Sequence, residues 1–566
     1  MCASHTPGTR PRRHDRCFSR RRARRRIRAA PGRQGTAAAL VTEAWEILER
    51  PRARPWLERL GPLTECVGLK LVGPWWALCP ETYRSRGSHY VPAVLTGPLR
   101  PQLQDHVPGT VRYDEAWEFG PSVRLSKQNW TEGCSLKTAE SPLKIESREE
   151  LVFLLGEACE IEHGLMCEYL YAQFSLKRTA GEGLTPEQLT RVQAWEAVLV
   201  DVIKQEMLHL ALATNILTSI GAAPHFERPN FPVLSRWYPP GVQIALLPFG
   251  ERALRHFMYL ERPEGMTLND AEGFGAVPDV QPMAIVAGPV VAVPEHWQTV
   301  GHLYRGIEAG LVQLCDRGGE DSVFIGPPSA QAVTEIFEWN ELTAVTDLAS
   351  ASSAIELIVE QGEGARGDWV KAHFGKFVGI LEDFLAMQAA DPDFNPARPV
   401  EPAYVRLPPD VESGILIEDA LTARVADLCN GLYEVILQVL SRYYVHHGET
   451  PAELETLAKT AKHLMNWVQR ALASVLTTLP IGPSHPGRTA GPTLEVVRPA
   501  YFVLPHREAA WKIINERLLI LTETCNALAQ EPGLGALAEL TSDLRAMVGD
   551  VRKHLDERAG APSQPP

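Results

Sequence analysis

The 566-residue sequence has no run of eighteen apolar residues, so nothing in it reads as a membrane span. No apolar stretch follows its basic start, which argues against a secretory signal. Its ten cysteines are scattered and never spaced Cys-x-x-Cys. That argues against a zinc ribbon, an iron–sulfur site or a disulfide framework, and it fits a reducing cytoplasm. Acid is nearly absent from residues 1–36, which hold twelve arginines and one acid, Asp15. The run Arg20-Arg21-Arg22-Ala23-Arg24-Arg25-Arg26 cannot build a core and reads as a disordered tail. A nucleic-acid or membrane-surface arm, an organelle transit peptide, or residues upstream of the true start are the other readings of it. The whole chain carries −13, so residues 37–566 carry about −24. An acidic body does not look like a nucleic-acid binder.

What is present is helical periodicity with acids in the wrong place. Residues 147–177 and 186–220 read as two long helices. On the second, Leu199, Val202, Ile203, Leu210, Ala213 and Leu217 mark a buried side, and Glu206 and His209 sit on it. On the first, Ala158, Cys159, Leu165, Met166 and Tyr169 make the apolar stripe, with Glu162 in its middle. A buried carboxylate without a partner costs several kcal/mol. Three inward polar groups on adjacent helices therefore need a shared partner. A Glu on one helix and a Glu-x-x-His on the next is half of the di-iron carboxylate arrangement of a four-helix bundle. The i, i+3 spacing puts both second-helix ligands on one side, one turn apart. The bland alternative is a surface Glu-x-x-His with no metal.

The flanking regions are less informative. Residues 37–145 suggest a short helix at 37–49, then irregular structure around Gly73-Pro74-Trp75-Trp76 and Gly97-Pro98, with Cys66 and Cys79 as core. Gly221 followed by Pro224 stops the second helix. The long connection 223–296, with a short helix at 251–260, reads as a crossover or a lid. A third bundle helix is expected at 295–315, where Glu308 flanks the stripe and His302 falls nearly opposite it. A helix at 351–360 runs into Glu360-Gln361-Gly362-Glu363-Gly364, and another spans 369–387 with His373 inward. Glu360 or Glu363 with His373 would supply the second half-site; capped, exposed acids and a satisfied core His are the alternative. The Pro-rich stretch 391–416 looks like a domain boundary. Helices at 417–446, 450–478, 507–530 and 535–558 then suggest a second bundle. His446, His447, His463 and His506 lie there without inward acids, so that domain reads as structural, or as a wall of the substrate pocket.

Several blocks resemble a known family. Ile161-Glu162-His163-Gly164-Leu165-Met166-Cys167-Glu168-Tyr169-Leu170-Tyr171-Ala172 looks like the first-helix signature of the ferritin-like domain of iminophenyl-pyruvate dimer synthases. Gln205-Glu206-Met207-Leu208-His209-Leu210-Ala211 is similar to the second-helix signature. Thr299-Val300-Gly301-His302-Leu303-Tyr304, the Glu360–Gly364 stretch and Ala372-His373-Phe374 resemble later blocks. The likeness covers residues 145–390. It implies a ferritin-like bundle and a link to bacterial secondary metabolism, where the named enzymes couple two imine forms of indolepyruvate. Those enzymes are much longer, with a large additional N-terminal part, and an acid is usual where this chain has His302. Mapped onto these residues, Glu162, Glu206 and His209 would hold a first metal, and Glu360 or Glu363 with His373 a second. Glu168, His302 and Glu308 are weaker candidates.

The expected protein is all-α: a ferritin-like four-helix bundle at 146–390, a linker, and a second helical bundle at 417–560, preceded by a poorly determined N-terminal region. The expected function is that of a non-haem metal oxidoreductase acting on a small, aromatic amino-acid-derived substrate. Iron fits the mixed ligands, as one or two ions, and manganese or zinc would also suit. Dioxygen would be the co-substrate, Tyr169 and Tyr171 could tune or relay electrons, and a homo-oligomer is compatible with the pattern. The competing expectation is a metal-free binding or scaffold protein of a biosynthetic pathway.

Overall fold

The computed structural model describes residues 143–233, 242–274, 297–364, 369–499 and 502–559. The basic tail, the helix expected at 37–49, the Trp and Cys clusters before 140, and the start of the helix expected at 295 lie outside them. The described residues are mostly helical.

Two long helices come first. Helix α1, Arg148–Ser175, begins at a capping box between Ser147 and Glu150. Helix α2, Pro186–Ser219, begins at another between Thr185 and Gln188, with proline in its first turn. Each box satisfies amides that the first turn leaves unpaired. Helix α2 ends in a Schellman motif. Gly221 takes φ 89°, and Gly221 and Ala222 donate their amides to the carbonyls of Thr218 and Leu217. Helix α3, Glu251–Leu260, lies where the periodicity put it. Helix α4, Val300–Gly318, starts at an N-cap, Thr299, and helix α5, Leu348–Gly362, at a capping box on Asp347. Helices α1, α2, α4 and α5 pack in a closed ring, α1 on α2 and α4, and α5 on α2 and α4. Helix α6, His373–Ala390, packs on α3 and touches α2. The expected bundle is therefore present, and the connection after α2 supplies a helix to it.

Residues 391–416 are tied down at both ends. Arg398 donates its amide to the Ser175 carbonyl, and Lys177 donates to Pro396. Strand β1, Val400–Glu401, pairs in parallel with β4, Thr489–Ala490. Strand β2, Ala403–Tyr404, pairs in parallel with β3, Ile415–Leu416. Proline confines this segment to short edge pairings, yet Val400, Ala403 and Tyr404 are buried.

The second helical region comprises α7 (Ala420–Tyr444), α8 (Pro451–His463), α9 (Arg470–Leu476), α10 (Arg507–Leu528) and α11 (Leu537–Ala559). The single helix expected at 450–478 is interrupted by a π turn, Leu464–Gln469. One continuous apolar core runs through both regions among the described residues. None of the described helices is long and apolar enough to cross a membrane.

Candidate metal centre

Glu206 organises the site. It is buried on α2, and each of its oxygens faces a different histidine. Oε2 lies 3.4 Å from Nδ1 of His209, one turn on. Oε1 lies 2.7 Å from Nδ1 of His373, the first residue of α6. Each histidine has one further carboxylate beside the same nitrogen. For His209 it is Glu162, at 3.5 Å; for His373 it is Glu261, also at 3.5 Å. A tyrosine hydroxyl then donates to each outer carboxylate: Tyr304 to Glu162 at 2.7 Å and Tyr169 to Glu261 at 2.6 Å. The two halves thus repeat one plan, His, Glu and Tyr, about the shared Glu206.

The outer ring nitrogens of both histidines face glutamine amides. Nε2 of His209 is 3.0 Å from Oε1 of Gln361, and Nε2 of His373 is 2.9 Å from Oε1 of Gln205. Lys376 also donates to Oε1 of Gln205, at 2.8 Å, so that atom is an acceptor. His373 must then donate from Nε2, so its Nδ1 is the atom turned to the carboxylates: an N–H while the ring is charged, a ligand lone pair once it is neutral. Glutamine here does what a carboxylate or carbonyl does behind many metal-bound histidines.

Electrostatics describe a site with surplus negative charge. Burial pushes Glu162 up to about 7, against the pull of His209. Burial acts the same way on Glu206, but His373 and His209 beside it hold its carboxyl well below the usual carboxylate range. Burial disfavours the charged ring of His209, yet Glu162 and Glu206 outweigh it and push the imidazole up to about 10. His373 is raised by Glu206 and Glu261, again against burial. Three carboxylates face two imidazoles in a space closed by Val300, Gly301, Ile358 and Val359.

The donor set fits a cation. Both oxygens of Glu206 and Nδ1 of His373 are buried without a hydrogen bond, although their charges are in contact. Buried polar atoms are rarely left so, and one ligand atom each from Glu206, His209 and His373, all within 4.8 Å of one another, is a set that a metal ion would satisfy. The adjoining cavity is about 10 Å³, room for about one water or ion.

Of the residues singled out by spacing, Glu162, Glu206, His209 and His373 come together here. Glu363 is near but engaged elsewhere. Its Oε1 accepts the Gly301 amide at 2.6 Å, its Oε2 accepts the Glu264 amide at 3.1 Å, and Arg305 is 3.5 Å away. Burial raises it to about 7, against those amides and Arg305. Glu360 is exposed on the last turn of α5, whereas Glu363 is the C-cap residue just past its end and is buried. Glu308 is only half-buried on α4 and lies outside the cluster. His302 is buried, and its Nδ1 accepts the Gln298 amide at the start of α4, outside the cluster. Glu168 is buried in another group, 3.2 Å from Nε2 of His256, because six residues past Glu162 turn it off the ligand face. Glu261, Tyr304, Gln205 and Gln361 were not anticipated as site residues. Glu261 follows α3 in the charged stretch Glu261-Arg262-Pro263-Glu264, which reads as surface, and only its place after an amphipathic helix hinted otherwise.

Residues 155–382 match the family described as "Ferritin-like". They form a ferritin-like domain. Two named proteins are similar over most of the chain. The dichlorochromopyrrolate synthase of Lentzea aerocolonigenes is 28% identical over 494 residues, 81% of this chain and 45% of its own length. The 2-imino-3-(indol-3-yl)propanoate dimerase of Chromobacterium violaceum is 25% identical over 453 residues, 74% of this chain and 39% of its own. The chain thus spans less than half the length of either relative. A solved ferritin-like protein from Caulobacter vibrioides is 17% identical and aligns with 59% of this chain and 99% of its own, at a TM-score of 0.37. The resemblance noted in the sequence, to the ferritin-like domain of the iminophenyl-pyruvate dimer synthases, is borne out by the family match and the two relatives.

Proposed function

We propose that this chain binds two metal ions in its ferritin-like domain and uses them to oxidise a small, aromatic amino-acid-derived substrate in secondary metabolism. The observation that carries this reading is the pair of matched half-sites on either side of Glu206. A mixed set of three carboxylates and two imidazoles suits iron, and would also hold manganese or zinc. Glu162, His209 and Oε2 of Glu206 would hold one ion; Glu261, His373 and Oε1 of Glu206 would hold the other.

Iron, when bound, supplies redox chemistry, with dioxygen as the oxidant. The chain's own groups do the rest. Gln205 and Gln361 keep each imidazole in the tautomer whose Nδ1 faces inward. Tyr169 and Tyr304 hold the outer carboxylates, and burial keeps both phenols protonated. Val300, Ile358 and Val359 exclude bulk water. The substrate class rests on the printed names of the relatives, a dimerase of an indolyl imino acid and a dichlorochromopyrrolate synthase. A dimerising oxidation of an indole-bearing imino acid is the reaction to try first, with the protein taken as soluble in the cytoplasm.

The test is elemental analysis of protein purified without chelator or nickel affinity, together with oxygen uptake on aromatic amino-acid derivatives. About two irons per chain are expected in the parent protein. Glu206→Ala should lose nearly all of the metal, because it serves both halves, and Glu162→Ala about half, with circular dichroism unchanged in each. A parent protein that takes up no stoichiometric metal, even after anaerobic iron loading, overturns the reading. The 2.7 Å contact of His373 with Glu206 would then be a plain ion pair in a metal-free binding or scaffold protein.

A further inference from the structure

On the other side of the α1–α2 wall lies a second cavity with different chemistry. Met207 and Leu210 line it, next in sequence to Glu206 and His209, but a neighbouring residue on a helix points about 100° away. The cavity is about 90 Å³, room for about half a dozen waters, against about 10 Å³ beside the metal ligands. With a shift of its thioethers this cavity approaches the roughly 150 Å³ that takes a benzene ring, and the other does not. Phe226, Phe337, Trp339 and Tyr444 supply aromatic walls, and Met166 and Met465 supply thioethers.

Two polar features interrupt the apolar lining. His163 pairs through Nε2 with the Tyr433 hydroxyl at 2.8 Å. Gln469, the last residue of the π turn Leu464–Gln469, is only 7% exposed. Neither its Oε1 nor its Nε2 has a hydrogen-bond partner. A buried amide in an apolar wall is costly unless something pairs with it. π turns inside helices are frequent at functional sites, where the extra residue aims a side chain.

We propose that this cavity binds a flat aromatic ligand of one or two fused rings bearing a hydrogen-bond donor and acceptor side by side, which the Gln469 amide engages as a pair. This goes beyond the metal reading and does not depend on it. The way in is also on view. Leu170, Met207 and Met465 line both this cavity and an open surface pocket of about 330 Å³ that includes Trp467 and Arg470. Two flexible thioethers and one leucine are the partition, and methionine adapts its shape more readily than other core residues.

The probes are oxindole, whose ring N–H adjoins a carbonyl, and indole, which has the N–H alone. Calorimetric titration of the full chain should show saturable binding of oxindole at about one per chain, and indole about tenfold weaker, the effect of one unmade hydrogen bond. Gln469→Leu should bind the two alike. Ala211→Phe, which puts a ring into the cavity, should abolish both while leaving metal content and circular dichroism unchanged. The proposal is overturned if neither probe saturates, if the parent protein prefers indole, if Gln469→Leu keeps the preference, or if Ala211→Phe binds both as before. The parent-protein comparison needs no variant, and the metal assay remains independent of it.

Discussion

Helix α1 places two buried glutamates six residues apart, and they enter two different kinds of cluster. Glu168 belongs to a group in which one imidazole contacts two acids. His256 lies between two carboxylates, Nε2 3.2 Å from Glu168 and Nδ1 2.8 Å from Asp270. The Ala245 amide donates to Glu168, the Ala271 amide to Asp270, and Phe274 stacks on the imidazole at 3.9 Å. Glu162 belongs to a group with three carboxylates and two imidazoles, and both imidazoles have turned their outer nitrogens to glutamines. In the first cluster both nitrogens of the ring serve the acids. In the second, one nitrogen of each ring is held by a neutral amide, and the other faces Glu206. Burial of acids and histidines is common to both. The partner of the far ring nitrogen is what separates this ion-pair network from the proposed ligand set.

The largest effect should come from breaking the His256 cluster. His256→Gln leaves Glu168 and Asp270 without their cation, and removing one partner of a buried pair costs about 3 kcal/mol or more. The effect should depend on pH. Burial lowers the His256 pKa, but Glu168 and Asp270 outweigh it and raise it to about 9, above the roughly 6.5 of the unfolded chain. Its stabilisation is then fully present below about pH 6.5 and is lost as pH rises through about 9. Glu168 is raised too, by burial first, so its contribution is also lost as pH rises. The denaturation midpoints of parent and His256→Gln protein should differ widely at pH 6 and converge by pH 10, with or without chelator. An equal gap at both pH values would show that the ring is held neutral, and a gap that chelator changes would make this cluster a metal site as well.

Much of this was legible because helix signals are local. Ser147 with Glu150, and Thr185-Pro186 with Gln188, fix the starts of α1 and α2, and Gly221 fixes an end. Glu162, Glu206 and His209 could be found because three-residue spacing on an apolar stripe is a statement about one helix face. His373 was found in the same way. Glu261 was hidden because it lies past the end of α3, where no periodicity reports which way a side chain points. Glu360 and Glu363 could not be told apart, since the choice depends on the Gly301 and Glu264 amides, which reach Glu363 from distant parts of the chain. The π turn before Gln469 has no sequence signature in an otherwise regular pattern.

A middle-sized effect should separate a carboxylate that shapes the wall from one that holds metal. A Cβ on Gly301 would overlap the Glu363 carboxylate, so Gly301→Ala must displace that carboxylate from the amides it accepts. Overpacking of this sort costs about 1–3 kcal/mol. The melting temperature should fall while metal content stays near that of the parent protein, because Glu363 is outside both half-sites. Loss of one equivalent of metal in Gly301→Ala would instead bring Glu363 into the ligand set.

The smallest effect is expected at Glu360, and it decides how the second half-site is composed. Sequence spacing offered Glu360 or Glu363 as the partner of His373, whereas Glu261 is the acid 3.5 Å from that nitrogen. Glu360 is exposed on α5, so Glu360→Gln should leave stability within about 0.5 kcal/mol of the parent protein and the metal content unchanged. Glu261→Gln, measured beside it, should lose about half of the metal, since only one half-site is deprived of a charged donor. The reverse result would mean that α5 turns inward on loading, and that Tyr169 donates to a carboxylate with no role in binding. The matched plan about Glu206 would then be coincidence, and the case for two ions would rest on Glu162, His209 and His373 alone.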